Sequence, residues 1–162
     1  MMHRIIFIIS LAGFAGWANP AGAGFFSSTG PVIAIFAGEL FLGEAEGNLD
    51  GSGTISIRSS TRPDVTCVGQ FTSSAKLGGV GSLQCSDSAT ATIKFKRLSI
   101  FRGYGTGISS RGTMSFTYGI NANDSKPYLK LPSGTALRLD GKDLVLVDIM
   151  QPAPAVTPAK VQ

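Results

Sequence analysis

Glu44 and Glu46 occupy alternate positions of an extended segment, so their carboxylates point to one face. Strand rise sets them roughly 7 Å apart, a spacing at which paired acids can hydrolyse glycosides. Two exposed acids on a solvated sheet face are the commoner origin of that pattern. Other catalytic groups are scarce. The only histidine, His3, lies in an N-terminal segment with export features. Without that segment the chain has no Ser-His-Asp triad, no Cys-His pair and no His-containing zinc site. Cys67 and Cys85 are the only cysteines, too few for a Cys₄ metal site.

Three short motifs invite chemistry and each has a plainer reading. Asn48-Leu49-Asp50-Gly51-Ser52-Gly53-Thr54-Ile55-Ser56 resembles the first nine positions of an EF-hand calcium loop. Asn48, Asp50 and Ser52 supply oxygens at positions 1, 3 and 5, and Gly53 stands at position 6. The position that should hold the closing glutamate is Ser59, so only a weak calcium site is expected, and a glycine-rich turn explains the same residues. Ser73-Ser74-Ala75-Lys76 contains the S-x-x-K pattern of penicillin-recognising enzymes, here in a hairpin loop with no K-T-G element. Gly103-Tyr104-Gly105-Thr106-Gly107 lacks the strand-to-helix context and the Lys-Ser/Thr of a phosphate loop.

The elements that position these residues are strands. Period-two alternation recurs in Thr54–Ile57, Val65–Phe71, Ala91–Lys96 and Met114–Tyr118. Turn clusters separate them at Asp50–Gly53, Leu77–Gly79, Ser86–Ser88 and Ser109–Gly112. Leu137–Val147, broken at Asp140-Gly141-Lys142-Asp143, predicts one more hairpin. Val32–Phe36 is uniformly apolar and reads as a strand, with a short buried helix as the alternative. Small residues recur at alternate positions: Gly43, Ala45 and Gly47, Gly79 and Gly81, then Gly103, Gly105 and Gly107. Each set precedes a strand of large residues, so symmetric hairpins would set glycine opposite rings and permit strong coiling. Folding Val65–Phe71 back on Gly79–Cys85 places Cys67 opposite Cys85 and Phe71 opposite Gly81. A disulfide at a non-hydrogen-bonded pair is therefore expected.

Arg4, the apolar stretch Ile5–Gly16 and Ala21-Gly22-Ala23 read as a signal peptide over residues 1–23. The apolar stretch is shorter than the ~20 residues that a membrane span needs. The net charge of +4 loses one unit with Arg4, and the remaining bases are scattered. No nucleic-acid stripe is present. Residues 150–162 form a proline-rich tail.

The sequence thus predicts an all-β protein, a single antiparallel β-meander over residues 24–149 closing into a small barrel or sandwich. The expected role is non-enzymatic, structural or partner-binding in the cell envelope, in the periplasm or secreted. The alternative is a barrel binding a small ligand or glycan, using a glycine-lined groove or the barrel mouth. An outer-membrane barrel or a carboxylate hydrolase using Glu44 and Glu46 comes third. Alternating Lys94 and Lys96 argue against lipid on that wall. No cofactor and no nucleic-acid partner are expected.

Overall fold

A computed structural model describes residues 27–74 and 76–149. The expected signal peptide and proline-rich tail lie outside these residues. Eight antiparallel strands follow one another around a closed barrel, each hydrogen-bonded to the next in sequence. They are β1 (Ser27–Phe36), β2 (Glu39–Asn48), β3 (Ser52–Ser59), β4 (Thr66–Ser74), β5 (Gly78–Cys85), β6 (Thr90–Arg97), β7 (Gly103–Ser109) and β8 (Gly112–Tyr118). β8 returns to β1 with Val32 opposite Tyr118 and Phe36 opposite Met114. Closure leaves no free sheet edge and resolves the choice between barrel and sandwich.

Alternation assigns the faces. Ile55 and Ile57 of β3, and Ala91, Ile93 and Phe95 of β6, point inward and are buried. Between them Thr54, Ser56 and Arg58, and Thr92, Lys94 and Lys96, stand exposed on the outer wall. The hairpin registers follow the expected pairing. Cys67 faces Cys85, Phe71 faces Gly81, Gly79 faces Phe95, and Gly105 faces Phe116. A side chain at Gly79 or Gly105 would meet the rings of Phe95 and Phe116, so those rings lie across bare backbone. Gly43 differs: its missing Cβ would strike the backbone of Ser56 and Ile57, so two strands meet there too closely for any side chain.

The turn joining β1 to β2, at Ala37 and Gly38, has φ of 51° and 83°. Two successive left-handed residues match the right-handed twist of the flanking strands. Alanine there is unusual, and so the sequence carries no clear turn signal at this point.

The hairpin near the C-terminus is present but is not part of the barrel. β9 (Thr135–Asp140) and β10 (Asp143–Asp148) form a separate two-stranded sheet. They are reached through a short helix, α1 (Ala122–Ser125), capped by Asn121, and a 3₁₀ turn at Lys126–Tyr128. Leu129, Leu137 and Leu144 pack on Ile33, Ile35 and Leu40 from outside. β1 is therefore covered on both faces, with Val32, Ala34 and Phe36 in the barrel and Ile33 and Ile35 beneath the hairpin. Two covered faces explain the uniformly apolar run, which is a strand and not a helix. Stacked Tyr104 and Tyr128 rings, 4.4 Å apart, and a buried 2.8 Å Thr117–Ser125 hydroxyl contact hold the connecting segment to the wall.

Candidate functional site: an open barrel mouth above a charged floor

The two ends of the barrel differ in chemistry. At one end, four successive connections or strand ends each contribute a charge: Glu39, Arg62, Asp87 and Arg111. Arg62 Nη2 lies 2.5 Å from Glu39 Oε2, and Arg111 Nη1 lies 2.7 Å from Asp87 Oδ2. Longer contacts, Arg111 to Glu39 at 3.4 Å and Arg62 to Asp87 at 3.8 Å, complete the ring. Ser59 and Thr61 also donate hydroxyl hydrogens to the Glu39 carboxylate. Arg111 lies over the Phe36 ring, 5.5 Å from its centroid. Just inside, the Cys67–Cys85 disulfide joins β4 to β5. This end is closed.

Glu39 is the group most affected. The Arg62 hydrogen bond outweighs the opposing effect of burial, and Ser59 and Thr61 add to it, so its carboxyl falls from 4.5 to about 2. Between these values the unfolded chain binds the extra proton, so the ring stabilises fully above pH 4.5 and loses its effect as pH falls through about 2. After solvent screening at a rim position, the loss is expected to be roughly 2 kcal/mol. Thermal melts of wild type and Glu39→Gln should therefore differ at neutral pH and converge near the acid limit. A gap of constant size across that range would contradict this account.

The opposite end is open. A cavity of about 810 Å³ enters the barrel there, lined by bare backbone at Gly30 and Gly47, by apolar side chains, and by polar ones that include Ser27, Ser28, Asn48, Ser74 and Arg97. Ile55, Ile93 and Phe116 form its depth, and Phe71, Phe95 and Tyr118 its wall. Phe71 and Tyr118 each meet the Phe95 ring edge-on at 5.5 Å, a geometry that stiffens the aromatic wall. The Tyr118 hydroxyl is buried, and no acceptor takes its hydrogen among the described residues. Burial raises its pKa, and Arg97, through its charge and a side-chain hydrogen bond, offsets only part of that rise. Arg97 can only donate, so the hydroxyl's own hydrogen stays without an acceptor. The hydroxyl therefore stays protonated at neutral pH, a buried donor with an unfilled acceptor position. Leaving such a donor unpaired costs about 1–3 kcal/mol.

The residues singled out from the sequence fall into four groups. Asn48, Asp50 and Ser52 do come together, in the β2–β3 turn at the open rim, but they satisfy one another. Ser52 donates its amide (2.8 Å) and its hydroxyl (2.6 Å) to Asp50, and Asn48 donates to Ser52 at 3.0 Å. The Ser52 hydroxyl, then its amide, hold the Asp50 carboxyl below its usual range. Among the described residues no cluster of three His, Cys, Asp or Glu side chains could hold a metal ion. Glu44 and Glu46 share one face as expected, on the exposed outer wall and away from the cavity. Ser73 donates its hydroxyl to the Gly51 carbonyl, and Lys76 is exposed. Cys67 and Cys85 are bonded.

The barrel mouth was among the sequence expectations, but neither the charge ring nor the role of Tyr118 was. Glu39, Arg62, Asp87 and Arg111 are isolated charges in the sequence and meet only when the barrel closes. Tyr118 reads as the last residue of an alternating strand. Its signal was its position opposite Gly103, where no side chain stands between the ring and the neighbouring strand. No protein-family model matches the chain, and no curated protein or solved structure is significantly similar to it.

Proposed function

We propose that the protein binds a small, largely apolar molecule carrying a hydrogen-bond acceptor, in the open end of the barrel, and that it is an exported binding protein and not an enzyme. The observation that carries this reading is the buried Tyr118 hydroxyl, whose hydrogen has no acceptor, in a cavity of about 810 Å³ walled by Ile55, Phe71, Ile93, Phe95 and Phe116. Ligand cavities typically run from about 300 to 1,000 Å³, with mainly apolar walls and few polar groups. An eight-stranded barrel is just wide enough to be filled by side chains or to hold one small ligand. Phe71, Phe95, Phe116 and Tyr118 line the space here and leave it open, which favours the ligand-binding alternative over a purely structural role. A small aromatic or amphiphile, its apolar part against Ile55, Phe71, Ile93, Phe95 and Phe116 and its polar end toward the serines, Asn48 and Arg97, suits this lining better than an all-polar glycan.

Export is supported by the disulfide and by the signal-like residues 1–23. No helix among the described residues is long and apolar enough to cross a membrane. A lipid-spanning barrel also fits poorly, because its outer wall would need a continuous apolar band. Here Thr54, Ser56, Arg58, Thr92, Lys94 and Lys96 occupy that wall.

Gly47 offers a clean test. Its Cβ position meets only Phe71 Cζ, at 3.8 Å, so a larger side chain can enter the cavity without striking backbone. Titration with the fluorophore 8-anilinonaphthalene-1-sulfonate should show one saturable site in the wild type. Gly47→Leu should abolish that site with little change in melting temperature. Tyr118→Phe should weaken it about fivefold, the effect of one hydrogen bond. Binding that Gly47→Leu leaves intact would refute the reading.

A further inference from the structure

The open end carries a second feature on its rim, where Leu49, Ile100 and Phe101 also line the cavity mouth. Three connections form its rim: the β2–β3 turn, the β4–β5 turn and the β6–β7 loop. Each presents large apolar side chains to solvent. Leu49 is 75% exposed and Leu77 87%, while Leu98, Ile100 and Phe101 are 52%, 60% and 59% exposed. The tips at the closed end carry Arg62, Asp87 and Arg111 instead, with one exposed large apolar side chain, Ile108, on the strand end beside them. Monomeric proteins rarely concentrate apolar side chains in this way without an interaction to use them.

Charge narrows the choice of partner. Lys76 precedes Leu77, Lys96 and Arg97 precede Leu98, and Arg102 follows Phe101. Asp50 is the one acid on these three connections and the strand ends beside them, and Ser52 engages its carboxylate. The rim therefore alternates apolar tips with cations around a mouth also lined by Ser27, Ser28 and Ser74. Such a surface suits the boundary of an anionic bilayer, where apolar side chains enter the headgroup region and cations meet lipid phosphates. A second copy fits badly. A two-fold interface would oppose these four cations to the same four on the partner.

We propose that the open rim docks on the surface of anionic membranes, inserting Leu49, Leu77, Leu98, Ile100 and Phe101 between headgroups. The protein lies on the bilayer and does not span it. Docking turns the cavity mouth toward the lipid, so an apolar ligand could pass between bilayer and barrel without crossing water.

Sedimentation of the purified protein with vesicles tests this directly. Phosphatidylcholine vesicles are compared with vesicles containing about one-third phosphatidylglycerol, a composition that attracts interfacial cations. Binding is expected to the anionic vesicles and to weaken with added salt. Combined Ile100→Ser and Phe101→Ser should lower affinity at least tenfold. Lys96→Gln and Arg102→Gln should each lower it about fivefold. Val80→Ser, which alters an exposed apolar residue on the wall, should leave binding unchanged. All these positions are exposed, and matching melting temperatures would confirm that the variants fold. Binding to neither vesicle overturns the proposal, as does equal binding to both or binding that survives the Ile100 and Phe101 changes. A stable dimer or a tight protein partner that masks the same rim in lipid-free solution also overturns it. The Gly47→Leu variant should still dock, so failure of the cavity reading and failure of the docking proposal can be told apart.

Discussion

Gly43→Ala is expected to destabilise the protein by about 3 kcal/mol, enough to leave a marginal domain substantially unfolded. The added methyl would overlap the Ser56 carbonyl oxygen and lie 2.7 Å from Ile57 Cα. Both are backbone atoms, so no rotamer change can relieve the overlap. β2 and β3 would have to part, straining the inner face and weakening the ladder around Gly43 and Ile57. Overpacking alone typically costs about 1–3 kcal/mol, and each weakened ladder bond about 1 more. Gly47→Ala is the control on the same strand and the same face. Its methyl has one neighbour at ordinary contact distance, and the change should lie within about 0.5 kcal/mol of neutral. Urea unfolding of the two variants measures the difference. Equal stability for both would show that the close approach at Gly43 is not what its side chain is missing for.

Replacing both Cys67 and Cys85 with alanine should cost a similar amount for a different reason. The bond closes a loop with a sequence separation of 18, and the chain-entropy account assigns such a loop about 3 kcal/mol. Most of that effect resides in the unfolded chain, which regains conformations that the bond had removed. Cys67 and Cys85 are also buried, so their replacement leaves poorly filled space near the closed end. The melting temperature should fall by roughly 10 °C for a domain of this size. Reductant should lower the wild-type melt toward that of the double variant and leave the variant unaffected. A variant melting within a degree or two of the oxidised wild type would rule out a stabilising role for the bond.

Much of the barrel was legible residue by residue. The alternation of Ala91, Ile93 and Phe95 with Thr92, Lys94 and Lys96 marks both a strand and its buried face. The pairing of Cys67 with Cys85 follows from folding one alternating segment on the next across a short loop. The register of Gly79 on Phe95 and of Gly105 on Phe116 follows in the same way. Each rests on neighbours in sequence, and a hairpin is the most local of long-range structures. The Leu137–Val147 hairpin was equally legible, but its place outside the barrel was not. Nothing in its alternation distinguishes a ninth barrel strand from a cover over Ile33, Ile35 and Leu40. The uniformly apolar Val32–Phe36 held the clue, since a strand buried on both faces requires something packed outside it.

The functional features were least legible because they depend on closure. Arg111 meets Glu39 across 72 positions of sequence, and Arg62 meets it across 23. No local pattern marks these charges as one ring. Leu49, Leu77 and Phe101 likewise read as stray apolar residues in polar turns until alternate connections are gathered at one end. By itself the sequence determined the strands, their inner faces, the hairpin registers and the disulfide, because period two and short turns are properties of adjacent residues. Tertiary structure alone decided between barrel and sandwich, gathered the four charges at one end, and opened the other over a tyrosine whose hydroxyl hydrogen has no acceptor. Those outcomes depend on how eight strands coil around one axis, and the side chains that meet there come from distant parts of the chain.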